Sequence, residues 1–169
     1  MEQGSITVDV SGVKADLISA IPNLRAFAVS LCGNADKADD LVQETLVRAC
    51  GSLSSFTEGT NLKAWLITIL RNAYYTEYVK RRREVADPEG VIAGRLISPP
   101  AQNAHMDFLD FRVALKQLPT EQREALILVG ASGFSYEEAA AICNCAPGTM
   151  KSRLNRARER LSNLLAPTL

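Results

Sequence analysis

Residues 134–158 read FSYEEAAAICNCAPGTMKSRLNRAR, and this stretch combines the signals of two helices joined by a tight turn. Ser135 followed by Glu138 fits a capping box, which predicts a helix beginning just after Ser135. Asn144 stands where the chain must turn, and asparagine tolerates a left-handed backbone better than any residue except glycine. Pro147 suits the first position of a second helix, where its missing amide costs little. The stretch therefore predicts a helix-turn-helix.

The second helix of this pair has an apolar side and a basic side. Steps of three and four predict a buried stripe of Met150, Leu154, Ala157, Leu161 and Leu164. A helix of this kind can enter the major groove of DNA with its first residues against base edges, while other arginines contact phosphates. Lysine and arginine suit guanine acceptors, and asparagine suits adenine. The predicted DNA-contacting residues are Lys151, Ser152, Arg153, Asn155, Arg156 and Arg158.

A helical hairpin with a solvated charged face is the alternative interpretation of the same stretch. It would explain the basic residues. It would not explain why a capping box, the small residues 139–141, a turn asparagine and a first-turn proline occur together. DNA binding is therefore the favoured hypothesis.

Composition places the chain among ordinary globular proteins. Of its 169 residues 47% are hydrophobic, and 19 basic residues balance 19 acidic ones, which argues against a protein that coats nucleic acid indiscriminately. The longest uncharged stretches, 125–136 and 139–150, are shorter than the ~20 residues of a membrane helix, so no membrane segment is expected. The N-terminus lacks the basic start and apolar run of a signal peptide, and the four cysteines are typical of reduced thiols in a cytoplasm.

Apolar spacing is helical along almost the whole chain, which predicts an all-α fold. A first helix is expected from near Val13, with an interruption at Pro22. Gly33 and Asn34 predict the end of one helix and the cap of the next, and Asn61 predicts the cap of a long third helix. From residue 85 to about 105 the periodicity stops and turn residues predict a linker. The predicted organisation is a helical domain at 12–85, a flexible linker at 86–106 and a helix-turn-helix domain at 107–166.

The helices after Asn34 and Asn61 each have a predicted buried stripe. In the first, the stripe is Ala38, Leu41, Val42, Thr45, Leu46 and Ala49, and an acidic face lies opposite. A solvated acidic face is the simplest interpretation of that face from the residues alone. In the second, the stripe is Leu62, Trp65, Leu66, Ile69, Leu70 and Ala73, so Trp65 is interpreted as a core residue.

Four motifs, taken in order, resemble the extracytoplasmic-function sigma factors of bacterial RNA polymerase. They are ADDLVQET at 38–45, NLKAWL at 61–66, LPTEQREA at 118–125 and GTMKSRLNRAR at 148–158. Together they span both predicted domains in the family's order. The stretch VGASGFS at 129–135 is most similar to the alphaproteobacterial general-stress group of that family.

The resemblance implies that the N-terminal domain docks on the polymerase clamp and opens the −10 promoter element, while the C-terminal domain reads the −35 element as duplex. Carried over by position, the contacts to core polymerase are Asp39, Asp40, Gln43 and Glu44. The contacts to the opened −10 element are Phe56, Glu58, Gly59, Asn61, Asn72, Tyr75, Lys80 and Arg81, with the loop 56–61 capturing a flipped base. The resemblance also implies a cytoplasmic stress-response protein held by an anti-sigma protein, with no cofactor.

Other classes of function fit the sequence less well. An enzyme is the least favoured, because the single histidine, His105, lies in the predicted linker, and Cys143 and Cys145 lack further cysteine or histidine ligands in their own domain; no catalytic or metal-binding residue is predicted. A sigma-like decoy that binds an anti-sigma protein would not need a basic recognition helix. A stand-alone helix-turn-helix regulator would not need the acidic N-terminal domain.

Overall fold

The computed structural model describes residues 10–84 and 103–166, and within these ranges all regular structure is helical. The N-terminal domain contains α1 (Val10–Cys32), α2 (Ala35–Gly51), a short 3-10 turn (Leu53–Ser55) and α3 (Leu62–Glu84). The C-terminal domain contains α4 (Asn103–Gln117), α5 (Thr120–Ala125) running into a π-helical turn (Leu126–Ala131), α6 (Tyr136–Cys143) and α7 (Pro147–Leu165). The predicted all-α fold is confirmed. Residues 85–102, which hold most of the predicted linker, lie outside the described residues.

The N-terminal domain is a three-helix unit in which α1 packs against both α2 and α3. The turn between α1 and α2 is as predicted: Gly33 adopts a φ of +67°, and the Asn34 side chain accepts a hydrogen bond from the Lys37 amide at 3.0 Å. Asn61 caps α3, since its Oδ1 accepts from the Ala64 amide at 3.1 Å. These local signals position α2 and α3 side by side.

The predicted interruption at Pro22 is wrong, because α1 runs through it as a single helix. A proline inside a helix removes one backbone hydrogen bond and crowds the preceding turn. Pro22 lies on the exposed side of α1, where water can satisfy the carbonyl that loses its partner. The packing of Leu24 and Phe27, both with no exposed surface, holds the helix on either side of this weak point.

Residues Gly12–Cys32 of α1 are long and apolar enough, by length and composition alone, to span a membrane. The same composition is expected of a helix that supplies the core of a bundle. Leu17, Leu24, Phe27 and Leu31 are all buried in the hydrophobic core cluster of the protein. The buried apolar side chains of α1 are therefore explained by their place in the core, whereas Ile18 is 67% exposed.

The C-terminal domain confirms the signals of the helix-turn-helix. Ser135 and Glu138 form the capping box in both directions, at 3.1 and 2.9 Å, and Asn144 adopts a left-handed conformation with φ of 51°. Pro147 occupies the first turn of α7, as predicted. Two details differ: α4 begins at Asn103, inside the segment predicted as linker, and α7 buries only the first three residues of its predicted stripe, leaving Leu161 half-buried and Leu164 exposed. The end of α7 extends past the body of the domain.

Replacing Ser135 by alanine is expected to lower the free energy of unfolding by about 1 kcal/mol, because the Glu138 amide loses the serine hydroxyl that caps it, while the bond from the backbone amide of residue 135 to the Glu138 carboxylate remains. Urea denaturation followed by circular dichroism measures this loss. Ser162→Ala, an exposed site in the last turns of α7, is the matched control and is expected to change little. Equal losses in the two variants would contradict a stabilising role for the capping box.

The two domains pack against each other, an arrangement that the sequence did not predict. Helix α6 lies against α3, and α5 lies against α1, so that one hydrophobic cluster includes residues of both domains. Ile67 is the clearest consequence, because it is fully buried although it lies outside the predicted stripe of α3. Helix α3 thus has a second buried face, and that face is covered by the C-terminal domain.

Candidate nucleic-acid interface

The basic face of α7 is exposed along the first turns of the helix. Met150, Leu154 and Ala157 have no exposed surface and fix the helix on the domain. The residues predicted to contact DNA from the opposite side and found exposed are Lys151, Ser152, Asn155, Arg156 and Arg158. Their side chains are available to a groove of duplex DNA without any rearrangement of the domain.

Arg153 differs from the rest of the predicted set. Its side chain is only 20% exposed, and its Nη2 lies 3.2 Å from Oε1 of Glu121 on α5. The guanidinium therefore joins α7 to α5 within the domain. The contact uses one nitrogen of the guanidinium, so a phosphate would share Arg153 with Glu121.

The predicted capture loop borders a cavity of about 420 Å³ between the loop and the start of α1. Phe56, Glu58 and Gly59 line it from the loop, together with Thr60 and Leu62. Gly59 has a φ of +84°, a backbone conformation that residues other than glycine rarely adopt. Phe56 is held by Trp65, with ring centroids 5.2 Å apart and planes tilted by 47°. Trp65 is thus a structural residue that supports the loop, in agreement with its interpretation from sequence.

The opposite wall of this cavity comes from α1. Gly12, Val13 and Asp16 line it, and none of them was among the predicted site residues. No local pattern could have identified them, because the start of α1 and the loop are separated by about forty residues and meet only through packing.

The remaining −10 candidates follow α3 in two different environments. Asn72, Lys80 and Arg81 are exposed, and Arg81 Nε contacts Glu77 Oε1 at 2.9 Å. Tyr75 is half-buried, and its hydroxyl donates to Oε2 of Glu124 at 3.2 Å. The pKa of the Tyr75 phenol is raised well above its ordinary value. Burial is the larger cause, and the negative charge of Glu124 is the second. Tyr75 is therefore a neutral donor in the interface between the domains.

The acidic face of α2 is present, but its residues differ in exposure and in whether they are already paired with an arginine. Asp40, Gln43 and Glu44 are exposed, and Glu44 pairs with Arg48 one turn further along the helix. Asp39 accepts from Arg25 Nε at 2.6 Å, and this hydrogen bond holds the pKa of the Asp39 carboxyl below its usual value. Asp40 and Glu44 also border a second cavity, of about 400 Å³, whose far side is formed by Tyr74, Tyr78 and Arg81 of α3.

Two of the predicted −10 residues, Tyr75 and Asn61, are bound in the contact between the domains. Arg71 Nε lies 2.8 Å from Oε1 of Glu124, whose side chain has no exposed surface, and the Arg71 guanidinium stacks 4.6 Å from the Tyr75 ring. Asn61 Nδ2 donates to Oε1 of Glu138 at 3.0 Å. That hydrogen bond, added to the stronger one from the Ser135 amide, lowers the pKa of the Glu138 carboxyl.

Two of the four cysteines, Cys143 and Cys32, are shielded by burial. Burial raises the pKa of the Cys143 thiol to about 12, so the thiol stays protonated at neutral pH and packs as a small apolar group. Burial also raises the pKa of the Cys32 thiol. Across residues 10–84 and 103–166 no group of three His, Cys, Asp or Glu side chains is arranged to hold a metal ion.

Comparison with known proteins identifies both domains. Residues 17–84 match the family model for Sigma-70 region 2, and residues 108–161 match the model for Sigma-70, region 4. The chain is 63% identical to the ECF RNA polymerase sigma factor EcfG of Rhodopseudomonas palustris over 90% of this chain and 84% of that protein. It is 36% identical to the ECF RNA polymerase sigma factor SigC of Mycobacterium tuberculosis over 79% of this chain and 72% of that protein.

Among solved structures, the fold resembles the sigma factor RpoE of Bartonella quintana in its complex with the anti-sigma factor NepR. The TM-score is 0.83 and the identity 55%, over 92% of this chain and 98% of the solved one. A complex of PhyRSL with NepR from Sphingomonas sp. Fr1 has a TM-score of 0.68 at 18% identity, over 93% of this chain and 92% of that one, which shows a shared fold alone.

Proposed function

This chain belongs to the ECF family of RNA polymerase sigma factors, and we propose that its N-terminal domain binds core polymerase and captures the opened −10 strand while its C-terminal domain reads the −35 duplex. The observation that carries the proposal is the order of the region 2 and region 4 matches combined with an exposed basic face on α7. The chain makes and breaks no bond in this role. It acts in the cytoplasm, where core polymerase meets the chromosome.

Reading of the −35 element is assigned to the start of α7. Lys151, Asn155 and Arg156 are exposed, and they suit guanine acceptors and the adenine edge. Arg158 is exposed one turn further on, where a phosphate contact would set the docking angle. Arg153 supports this assignment indirectly, since its ion pair with Glu121 keeps α7 in place.

Capture of the opened strand is assigned to the cavity beside the loop. An open cavity of about 420 Å³ is of the size that ligand sites have, and its aromatic wall at Phe56 offers a stacking surface for an unpaired base. Asn72, Lys80 and Arg81 continue along the exposed side of α3, where they would follow the strand. Asn61 and Tyr75 belong to the same set but are engaged with the C-terminal domain in this structure.

Binding of core polymerase is assigned to the acidic face of α2. Asp40, Gln43 and Glu44 are exposed and would meet a basic surface of the partner. Asp39, being paired with Arg25, contributes less unless it exchanges that partner.

Control by an anti-sigma protein is supported by the likeness to a relative that was solved in complex with one. RpoE of Bartonella quintana was solved with the anti-sigma factor NepR, and this chain covers 98% of it at 55% identity. We therefore infer that this chain is held by an anti-sigma protein of the same kind, and that it serves a stress response. A decoy function is disfavoured by the exposed recognition helix, and a stand-alone regulator by the region 2 domain.

Run-off transcription tests the proposal as a whole. Bacterial core polymerase is combined with this chain on a DNA library with randomised −35 and −10 elements, and the 5′ ends of the transcripts are sequenced. We expect new start sites that share two spaced elements and are absent with core polymerase alone. A core enzyme that is active on nicked DNA but gains no start site from the added chain would refute the proposal.

A further inference from the structure

One face of α3 is covered by the C-terminal domain through a set of polar contacts. Lys63, Ile67, Arg71 and Tyr75 follow each other at steps of four residues and therefore share this face. Lys63 Nζ donates to the Ser132 carbonyl at 3.0 Å and lies 5.1 Å from the centre of the Phe134 ring. We call the contacts of Asn61, Lys63, Arg71 and Tyr75 with the C-terminal domain the interdomain latch.

The centre of the latch is the carboxylate of Glu124. Its side chain has no exposed surface, and α3 supplies donors to both of its oxygens: Arg71 Nε to Oε1 at 2.8 Å, and Arg71 Nη2 and the Tyr75 hydroxyl to Oε2 at 3.4 and 3.2 Å. A buried charge that loses such partners is costly. In this docking of the domains, Arg71 and Tyr75 supply the partners that the buried carboxylate of Glu124 needs.

The latch engages two residues that the proposed function assigns to strand capture. The side-chain amide of Asn61 donates to Glu138, and its side-chain carbonyl accepts from the Ala64 amide in the first turn of α3. Both ends of the side chain are therefore hydrogen-bonded. One face of the Tyr75 ring is covered by the Arg71 guanidinium, and its hydroxyl is bound to Glu124. Tyr75 cannot offer that ring face or its hydroxyl to an unpaired base until the latch opens. Asn61 is exposed, but it must exchange its hydrogen bond to Glu138 if its amide is to turn toward a base.

The other two proposed surfaces are left free by the same arrangement. Lys151, Asn155 and Arg156 of α7 are exposed, and so are Asp40 and Glu44 of α2. The closed chain can therefore meet duplex DNA and core polymerase with these surfaces. Of the residues assigned to strand capture, Asn61 and Tyr75 are the two that take part in the latch.

We propose that the interdomain latch is an autoinhibitory contact that withholds Asn61 and Tyr75 from single-stranded DNA while leaving the recognition helix accessible. This inference rests on the proposed role of those two residues in strand capture. The closed and strand-bound states compete, so the apparent affinity for a single strand falls by the fraction of molecules that are open. Core polymerase, by binding the N-terminal domain, is the partner that would open the latch.

Glu124→Ala in the full chain is the direct test. Small-angle X-ray scattering is expected to show a larger radius of gyration, because Arg71 loses its buried partner. Fluorescence anisotropy with a short single-stranded DNA pool of random sequence is expected to show at least about tenfold tighter binding than the unsubstituted chain. Binding to a random duplex pool is expected to change by less than about twofold, since α7 is exposed in both states.

Two further variants make the test independent of folding. Glu124→Gln keeps the size of the side chain and one acceptor. It is expected to increase the radius of gyration and the affinity for the single-stranded pool, each by less than Glu124→Ala does. Glu137→Gln, an exposed glutamate of the same domain, is the matched control and is expected to leave compactness and both affinities unchanged. Circular dichroism of each variant reports whether the helices persist.

The possible failures separate the latch from the function on which it rests. A Glu124→Ala chain that stays compact, or one that expands without binding the single-stranded pool more tightly, overturns the autoinhibitory role. The role of Asn61 is tested separately by Asn61→Ala in the holoenzyme, with promoter opening followed by permanganate reactivity. Unimpaired opening there refutes the assignment of Asn61 to strand capture, whereas slower opening together with tighter binding by Glu124→Ala supports both.

Discussion

Replacing Arg156 by alanine is expected to weaken binding of the full chain to its promoter duplex by about 1–3 kcal/mol, or roughly 5- to 150-fold, while its helical content stays the same. The guanidinium is exposed on the first turns of α7, opposite the buried side chains Met150 and Leu154. Its removal is therefore expected to delete the base contact proposed for Arg156 and to leave the packing of the helix intact. A mobility-shift titration on a promoter recovered by run-off transcription measures the loss.

Leu154→Ala provides the contrasting control for the recognition helix. Leu154 has no exposed surface, so truncation leaves a cavity and is expected to cost about 2–5 kcal/mol of the free energy of unfolding. Arg158→Ala is expected to weaken binding about equally for all sequences and to reduce the salt dependence, as a phosphate contact would. If Arg156→Ala destabilised the domain as Leu154→Ala should, the assignment of the exposed face of α7 would be wrong.

The double charge reversal Asp40→Arg with Glu44→Arg is expected to weaken association with core polymerase by more than about 100-fold. The acidic face of α2 would meet a basic surface of the polymerase, and placing like charges in contact costs several kcal/mol. Native gel titration of purified core enzyme with the variant measures the effect. Both positions are exposed, and Glu44 gives up only its exposed ion pair with Arg48, so the thermal unfolding of the chain is expected to change little.

Asp110→Lys is the matched control for the charge reversal. It reverses an exposed acidic residue on α4, far from α2 in the chain, and is expected to retain association with core polymerase. An equal loss with Asp110→Lys would mean that net charge governs association. Unchanged binding by the double variant on α2 would show that the acidic face is only a solvated surface.

The local signals of the sequence predicted most of the helix ends. The capping box at Ser135, the left-handed turn at Asn144 and the cap at Asn34 are all present. Each depends on backbone geometry within a few residues, so the pattern carries the information. Pro22 is the exception, because a core on both sides of it outweighs the local cost of a proline in α1.

The candidate site was predictable where its residues lie on one exposed helix face. The exposure of the predicted set on α7 followed from spacing alone, except at Arg153, whose ion pair with Glu121 depends on how α5 lies against α7, and the contact of this set with DNA stays a prediction. The start of α1 as a wall of the capture cavity could not be found in this way, because it reaches the loop only through the packing of the three-helix unit.

Amphipathic spacing and capping residues were enough to determine that this chain forms helices, where most of them begin and end, and which side of α7 is basic, since these are interactions within one helix or one turn. The contact between the domains was decided by the tertiary structure alone. Glu124 is unremarkable in the sequence, and it becomes a buried carboxylate only because Arg71 and Tyr75, some fifty residues earlier, supply the donors that make its burial tolerable. A pairing of this kind depends on which surfaces meet, and no local pattern encodes that.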